Sequence, residues 1–261
     1  MAWTFVSGAT GGIGKAFAEA VAKKGGALYL TARSFDRLNT LKTELQQKYP
    51  VDVKVFACDL TSEAERALLV ADLANCGIKL ERIIHVAGVD TQKAFLQYSM
   101  EKLLFQLRVN VEATLSLTLA LLPYKAKNTE VITISSMSGV SPMPYFAVYS
   151  ATKAMLTNLF TALHYELKKD GVKVTTVLPG GVPTREDVCE AIKAQGVWGK
   201  LSAKSPEFVA EKSLKAVRKN KVKYIPGFFN KFLYFIMKIA PKGIVLRFIA
   251  KRWSKQSKDA F

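Results

Sequence analysis

A chain of 261 residues that is 49% hydrophobic holds enough apolar material for one large domain and is far from a disordered composition. Three cysteines (Cys58, Cys76, Cys189) without CxxC spacing, and only two histidines (His85, His164), form neither a zinc-ligand pattern nor a disulfide framework, so no metal and a reducing, cytoplasmic setting are expected. The net charge of +17 is unevenly placed: from residue 200 onward there are 16 Lys or Arg against three acids, a net +13.

In chain order, "WTFVS" predicts a strand over 3–7 and is too short for a signal peptide or a membrane span. A glycine-rich turn and a helix over 13–24 follow, then a strand over 27–31 and a helix over 35–48. The next pair is a strand over 51–57 and a helix over 62–75, where Ser62 and Glu65 make a capping-box pattern. Further strands are expected over 82–87, 130–135, 172–178 and 222–225, with helices over 99–122, 147–169, 185–195 and 206–219. Strands alternating with helices predict an α/β fold, a Rossmann-type doubly wound parallel sheet of about seven strands. Residues 1–225 form its nucleotide-binding domain, with 185–219 as substrate-side helices, and 226–261 form a basic C-terminal tail.

The turn after the first strand reads "SGATGGIG", residues 7–14. Glycines there let backbone approach a pyrophosphate, and the helix that follows aims its free N–H groups at the anion. Gly8, Thr10, Gly12, Ile13 and Gly14 are the candidate cofactor contacts. The second strand ends in "ARS", where Arg33 and Ser34 stand in place of an acid and suit the 2′-phosphate of NADP(H). Lys15 adds positive potential. "CDL" after the third strand sets Asp59 and Leu60 where an adenine can rest.

"YSATK" puts Tyr149 and Lys153 four apart on one helix face. A nearby ammonium favours the phenolate, so the tyrosine pKa is expected to fall from about 10 towards neutrality. Thirteen residues upstream, Ser136 ends the strand "VITISS", with Ser135 and Ser138 as rivals for holding a substrate oxygen. Asn110, a polar residue among apolar ones in "RVNVEAT", reads either as a locally satisfied amide or as a helix bend serving proton relay.

"SGATGGIG", "AG" at 87–88, Asn110, Ser136, "YSATK" and "LPGGVPT" at 178–184 resemble, in order and spacing, the motif set of the classical short-chain dehydrogenase/reductases, over about residues 3–225. The resemblance implies Tyr149 as general acid/base and Ser136 as the group that orients the substrate carbonyl. It further implies that Lys153 lowers the tyrosine pKa and holds the nicotinamide ribose, and that Asn110 keeps a water linking Lys153 to solvent. Hydride would pass between nicotinamide and substrate carbon while Tyr149 gives or takes the proton. Ala87, Gly88, Pro179, Gly180, Val182 and Thr184 would line the cofactor. The chain departs from the pattern at Ser7, which replaces a threonine, at His85 and Val86, which replace an asparagine pair, and at the additional glycine of "GGV". His85 is read as structural.

Within the family the stretch from Ser138 to Thr184 resembles the branch of very-long-chain 3-oxoacyl reductases and microsomal-type hydroxysteroid dehydrogenases, which implies a lipophilic ketone or secondary alcohol. Ser138, Met143, Tyr145 and Phe146 are the substrate candidates, with Val197 and Trp198 as a lid. Two other readings remain open here: a nucleotide sensor that turns nothing over, and a reductase of small polar carbonyls. Family analogy also implies a homodimer or homotetramer through the long helices that carry Asn110 and Tyr149.

In the tail, Phe228, Phe229, Phe232, Leu233, Phe235, Ile236 and Ile239 surround much of one helix, and Pro241 interrupts it. In the next segment Arg247, Lys251 and Lys255 are four apart, with Val245, Phe248, Ile249 and Trp253 on another face. Neither half reaches the roughly 20 apolar residues of a span. Attachment of 226–255 to a membrane surface is the preferred reading, and covering the substrate cleft or a subunit interface is its rival. Nucleic acid is not expected, because the tail is too apolar for a phosphate-binding arm.

Overall fold

A computed structural model describes residues 2–254; Lys255, the last cation of the tail pattern, lies outside them. The seven strands are β1 (Ala2–Ser7), β2 (Ala27–Ala32), β3 (Val53–Ala57), β4 (Lys79–His85), β5 (Lys125–Ile134), β6 (Lys173–Val177) and β7 (Lys223–Tyr224). They pair in the order β3-β2-β1-β4-β5-β6-β7, and every pairing is parallel. Chain order reverses between β1 and β4, which opens a crevice at the carboxyl ends of the strands, the place where such sheets bind ligands.

Eleven α-helices surround the sheet among the described residues: α1 (Gly12–Ala22), α2 (Phe35–Lys48), α3 (Glu63–Asn75), α4 (Met100–Leu107), α5 (Ala113–Leu121), α6 (Ala147–Glu166), α7 (Glu186–Ala194), α8 (Gly196–Ser202), α9 (Pro206–Arg218), α10 (Phe228–Ile239) and α11 (Lys242–Trp253). Strand side chains alternate between two cores. Val6, Leu28 and Leu30 meet Phe17, Leu38 and Leu214 on one side of the sheet. Phe5 and Tyr29 meet Leu73, Leu117, Leu156 and Phe160 on the other. Ser34, Ser62, Ser99 and Ser205 each cap a helix by accepting from a backbone N–H three residues on, as the sequence predicts at Ser62.

Two elements differ from expectation. The helix expected over 99–122 is broken into α4 and α5 by a π-helical turn, Arg108–Glu112, centred on Asn110. The segment around Val197 and Trp198 is helical, as α8, although it carries Gly196 and Gly199 and has no side-chain cap. His85 lies between Phe5 and Phe160 and shares a 2.9 Å hydrogen bond with the Thr118 hydroxyl. Full burial pushes its pKa down to about 3, so it stays neutral and structural.

Candidate active site

The glycine turn is shaped by close backbone approach. Gly8 has φ +66°, and a Cβ there would lie 2.8 Å from the Ala87 nitrogen. At Gly12 a Cβ would stand 2.8 Å from Thr184 Cγ2, and at Gly14 2.1 Å from the Gly8 carbonyl oxygen. Ser7, which replaces a threonine, keeps the hydroxyl's work: Oγ accepts from the Val86 and Ala87 N–H groups at 3.2 and 3.4 Å, joining the turn to the end of β4. Gly8 thereby meets Ala87, and Gly12 meets Thr184, beside the point where the strand order reverses.

Arg33 is exposed at the end of β2, while the Ser34 hydroxyl caps α2. A second guanidinium, missed in the sequence, reaches the glycine turn from the first turn of α2: Arg37 Nη2 donates to the Thr10 carbonyl at 3.0 Å. Asp59 follows β3 and Leu60 is buried beside it, but one carboxylate oxygen of Asp59 already accepts from the Thr61 N–H and hydroxyl, both at 2.9 Å.

Across the crevice, Ser136 Oγ accepts from Ser138 N–H at 3.1 Å and from Ser138 Oγ at 2.8 Å. A hydroxyl has two lone pairs and one proton, so these bonds leave Ser136 its O–H to donate. That hydroxyl favours the Tyr149 phenolate and pulls the phenol's pKa down. The rivals resolve by position. Ser135 Oγ donates to the Lys153 carbonyl and bonds Thr157, and Ser138 is buried behind Ser136 as its partner.

Lys153 is buried, with Nζ donating to the Ile134 carbonyl at 2.9 Å and lying 5.6 Å from the centre of the Tyr149 ring. Burial pulls its pKa down to about 8, opposed by Asp90. The expected fall of the Tyr149 pKa is reversed in this structure. Burial and the Asp90 carboxylate push it above the ordinary phenol value, and Ser136 and Arg185 offset only part of this. Asp90 and Arg185, neither singled out in the sequence, form a 3.2 Å ion pair between the loop after β4 and the start of α7.

Asn110 is fully buried. Its Oδ1 accepts from Val89 N–H at 2.8 Å, and its Nδ2 donates to the Val89 carbonyl at 2.9 Å and to the Thr152 hydroxyl at 3.1 Å. The amide ties the loop after β4 to α6. A Cβ at Gly88 would lie 3.2 Å from Lys153 Nζ and 3.4 Å from Asn110 Oδ1, so any side chain there would crowd both groups.

The substrate candidates divide between two sides of α6. Phe146 stacks on Tyr149 with centroids 4.5 Å apart, and Trp253 of α11 stacks on Phe146 at 6.1 Å. Tyr145 is held at φ +63°, a strained conformation for a bulky residue. Met143 instead lines a separate cavity of about 500 Å³ with Ala151, Ala154 and Tyr234. Trp198 leans on Phe229 at 5.4 Å, joining α8 to α10.

Pro179 accepts from Met137 N–H at 2.9 Å, and Val182 is buried. Gly180 meets an unanticipated residue: a Cβ there would lie 2.7 Å from Oδ1 of Asn230, which is buried in α10. Asn230 Nδ2 donates to the Ser202 and Pro226 carbonyls at 2.9 and 2.7 Å. The C-terminal helices are thus clasped to the loop after β6.

The sequence profile of the short chain dehydrogenase family matches residues 2–190. The chain belongs to this family. It is an oxidoreductase that acts on CH–OH groups, with a Rossmann-type sheet and C-terminal helices. It is 33% identical to the very-long-chain 3-oxoacyl-CoA reductase of Bos taurus over 224 residues, 82% of this chain and 68% of that one. Matches to the reductases of that name from Coprinopsis cinerea and Mus musculus are 34% and 31% identical, cover 67% and 70% of this chain, and span only 53% and 60% of those proteins. A structure described for 7beta-hydroxysteroid dehydrogenase stereoselectivity superposes with a TM-score of 0.85 at 24% identity, covering 95% of this chain and 96% of that one, which shows the fold. The L-sorbose reductase of Gluconobacter frateurii, solved with NADPH and L-sorbose, gives 0.77 at 25% identity over 87% of this chain and 95% of that one.

Proposed function

We propose that this chain is an NADP(H)-dependent oxidoreductase that interconverts a lipophilic ketone and a secondary alcohol, of steroid, bile-acid or long-chain 3-oxoacyl type, at a membrane surface. The observation that carries the reading is the meeting of three groups: Ser136, held by two hydrogen bonds from Ser138, favours the Tyr149 phenolate, and buried Lys153 lies 5.6 Å from the centre of the tyrosine ring.

The residues fit the cofactor. Gly8, Gly12 and Gly14 shape the turn for a pyrophosphate, Arg33 and Arg37 offer two guanidiniums for a 2′-phosphate, and Gly88 leaves space beside Lys153. NADP(H) would supply or accept the hydride. Ser136 donates a hydrogen bond to the substrate oxygen, and Tyr149 delivers the proton to that oxygen during reduction or removes it during oxidation. Burial keeps the phenol protonated at neutral pH, ready to donate. Lys153 sets a positive charge beside the ring while its ammonium persists, and Asn110 holds the loop that borders it.

The lipophilic preference is supported by the Phe146–Trp253 wall and by similarity to reductases named for very-long-chain 3-oxoacyl-CoA. Exposed Leu104, Leu107, Leu119 and Met155 on α4, α5 and α6 support self-association through these helices. The deciding experiment presents NADPH with steroids, bile acids, 3-oxoacyl thioesters and small sugars, beside a Tyr149→Phe control. Oxidation confined to apolar ketones and lost in the control is expected. Turnover of sugars alone would replace the lipophilic reading, and NADPH binding without any turnover would favour a sensor.

A further inference from the structure

The tail helices have two unlike faces. Phe228, Phe232, Phe235 and Ile239 are 86%, 52%, 60% and 62% exposed, and their spacing of i, i+4, i+7 and i+11 places them in one stripe along α10. Ile244 and Phe248 of α11 are exposed as well. Phe248 therefore parts from Ile249, with which the sequence pattern grouped it; Ile249 is buried. Exposed Lys231, Lys238, Lys242, Arg247 and Lys251 accompany the apolar residues, and residues 228–254 contain no Asp or Glu. The other side of the pair faces protein, through Asn230, Phe229, Ile249 and Trp253.

An exposed apolar face of this extent marks an interaction site. A second copy of the chain meeting it across a two-fold axis would bring the same cations against each other with no acid on the face to pair them. No helix among the described residues is long and apolar enough to cross a membrane. An anionic bilayer satisfies both components, because aromatic and aliphatic side chains enter the headgroup boundary while lysines and arginines meet the headgroups. We propose that the outward face of α10 and α11 docks on an anionic lipid surface through Phe228, Phe232, Phe235, Ile239, Ile244 and Phe248. The inward face of the same helices walls the substrate cleft, through Trp253 on Phe146 and Asn230 on Gly180. Docking thus sets the cleft beside the lipid phase from which an apolar ketone would come. This last step rests on the reductase reading; the docking does not.

The test is flotation of the full chain with vesicles of phosphatidylcholine alone and of phosphatidylcholine with phosphatidylglycerol. Five exposed cations meeting anionic headgroups predict binding at least roughly tenfold tighter to the anionic vesicles. Phe232→Ser/Phe235→Ser is expected to lose binding to them. Lys231→Glu/Lys238→Glu is expected to remove the anionic preference. Both variants should keep the wild-type thermal transition and NADPH oxidation on a water-soluble ketone. The proposal is overturned if wild type does not float with anionic vesicles, if both variants bind as wild type does, or if the phenylalanine variant changes only the oligomeric mass. Vesicle binding without NADPH oxidation would sink the reductase reading and leave the docking standing.

Discussion

The polar cluster of Ser136, Tyr149 and Lys153 and the C-terminal helices α10 and α11 are built by different physics. The Ser136 hydroxyl and the Lys153 ammonium are held by hydrogen bonds of 2.8–3.1 Å to Ser138 and the Ile134 carbonyl, beside Tyr149. The cover, α10 and α11, reaches the same place through ring stacking of Trp253 on Phe146 and one buried amide, Asn230. Directional bonds fix the positions of polar groups closely, whereas apolar contact fixes only shape and tolerates exchange. Chemistry should therefore read out in kcat at the first region and in KM at the second.

The largest effect expected is at Tyr149. Tyr149→Phe should lower kcat/KM by about 10²–10⁴-fold while leaving NADPH affinity in place, measured by steady-state rates beside a binding titration.

Two guanidiniums come next. Replacing Arg33 and Arg37 together by alanine should shift the NADPH-over-NADH preference by about 10–100-fold, the equivalent of one or two charged hydrogen bonds, with kcat on saturating cofactor little changed. An unchanged preference would remove these residues from the cofactor site.

Lys153 gives a test of sign. Its folded pKa, about 8, lies below the unfolded value near 10.4, so the buried ammonium costs stability below pH 8 and the cost fades as pH rises from 8 to 10.4. Lys153→Met should consequently be more favourable to the fold at pH 7 than at pH 10, by about 3 kcal/mol at the upper limit, in denaturant titrations at both values. Reductase activity should decline above about pH 8 as the ammonium is lost, while Tyr149 remains protonated.

The smallest effect belongs to the cover. Trp253→Ala removes one aromatic pair and should raise KM for apolar ketones about 2–10-fold, with kcat and small-ketone turnover near wild type. A fall in kcat instead would mean that the cover also positions Tyr149, erasing the contrast between the two regions.

Local patterns were legible where one stretch of chain carries its own reason. The seven strands and their parallel order follow from apolar runs alternating with helical periods, and "SGATGGIG" announces a turn that only glycine can make at Gly8, φ +66°. The i, i+4 spacing of Tyr149 and Lys153 likewise survives as a shared helix face. At Asn110 the sequence left a satisfied amide and a helix bend both open, and the structure shows a π-turn whose amide bonds Val89, a partner 21 residues away that spacing does not display. The Tyr149 pKa was misjudged for the same reason: sequence displays the nearby lysine, but desolvation and the Asp90 carboxylate come from the surrounding fold.

The sequence by itself determined the sheet, the glycine turn, the family and the residue types of the reaction end, since each is written in short-range spacing. Only the tertiary structure decided that Ser135 turns to the Lys153 carbonyl while Ser138 donates to Ser136, that Arg37 reaches the Thr10 carbonyl, that Met143 lines a cavity with Tyr234, and that Asn230 ties α10 to the Ser202 carbonyl. It also decided the tail's double character, because a helix that is greasy around most of its circumference acquires an inside and an outside only when one side meets the protein.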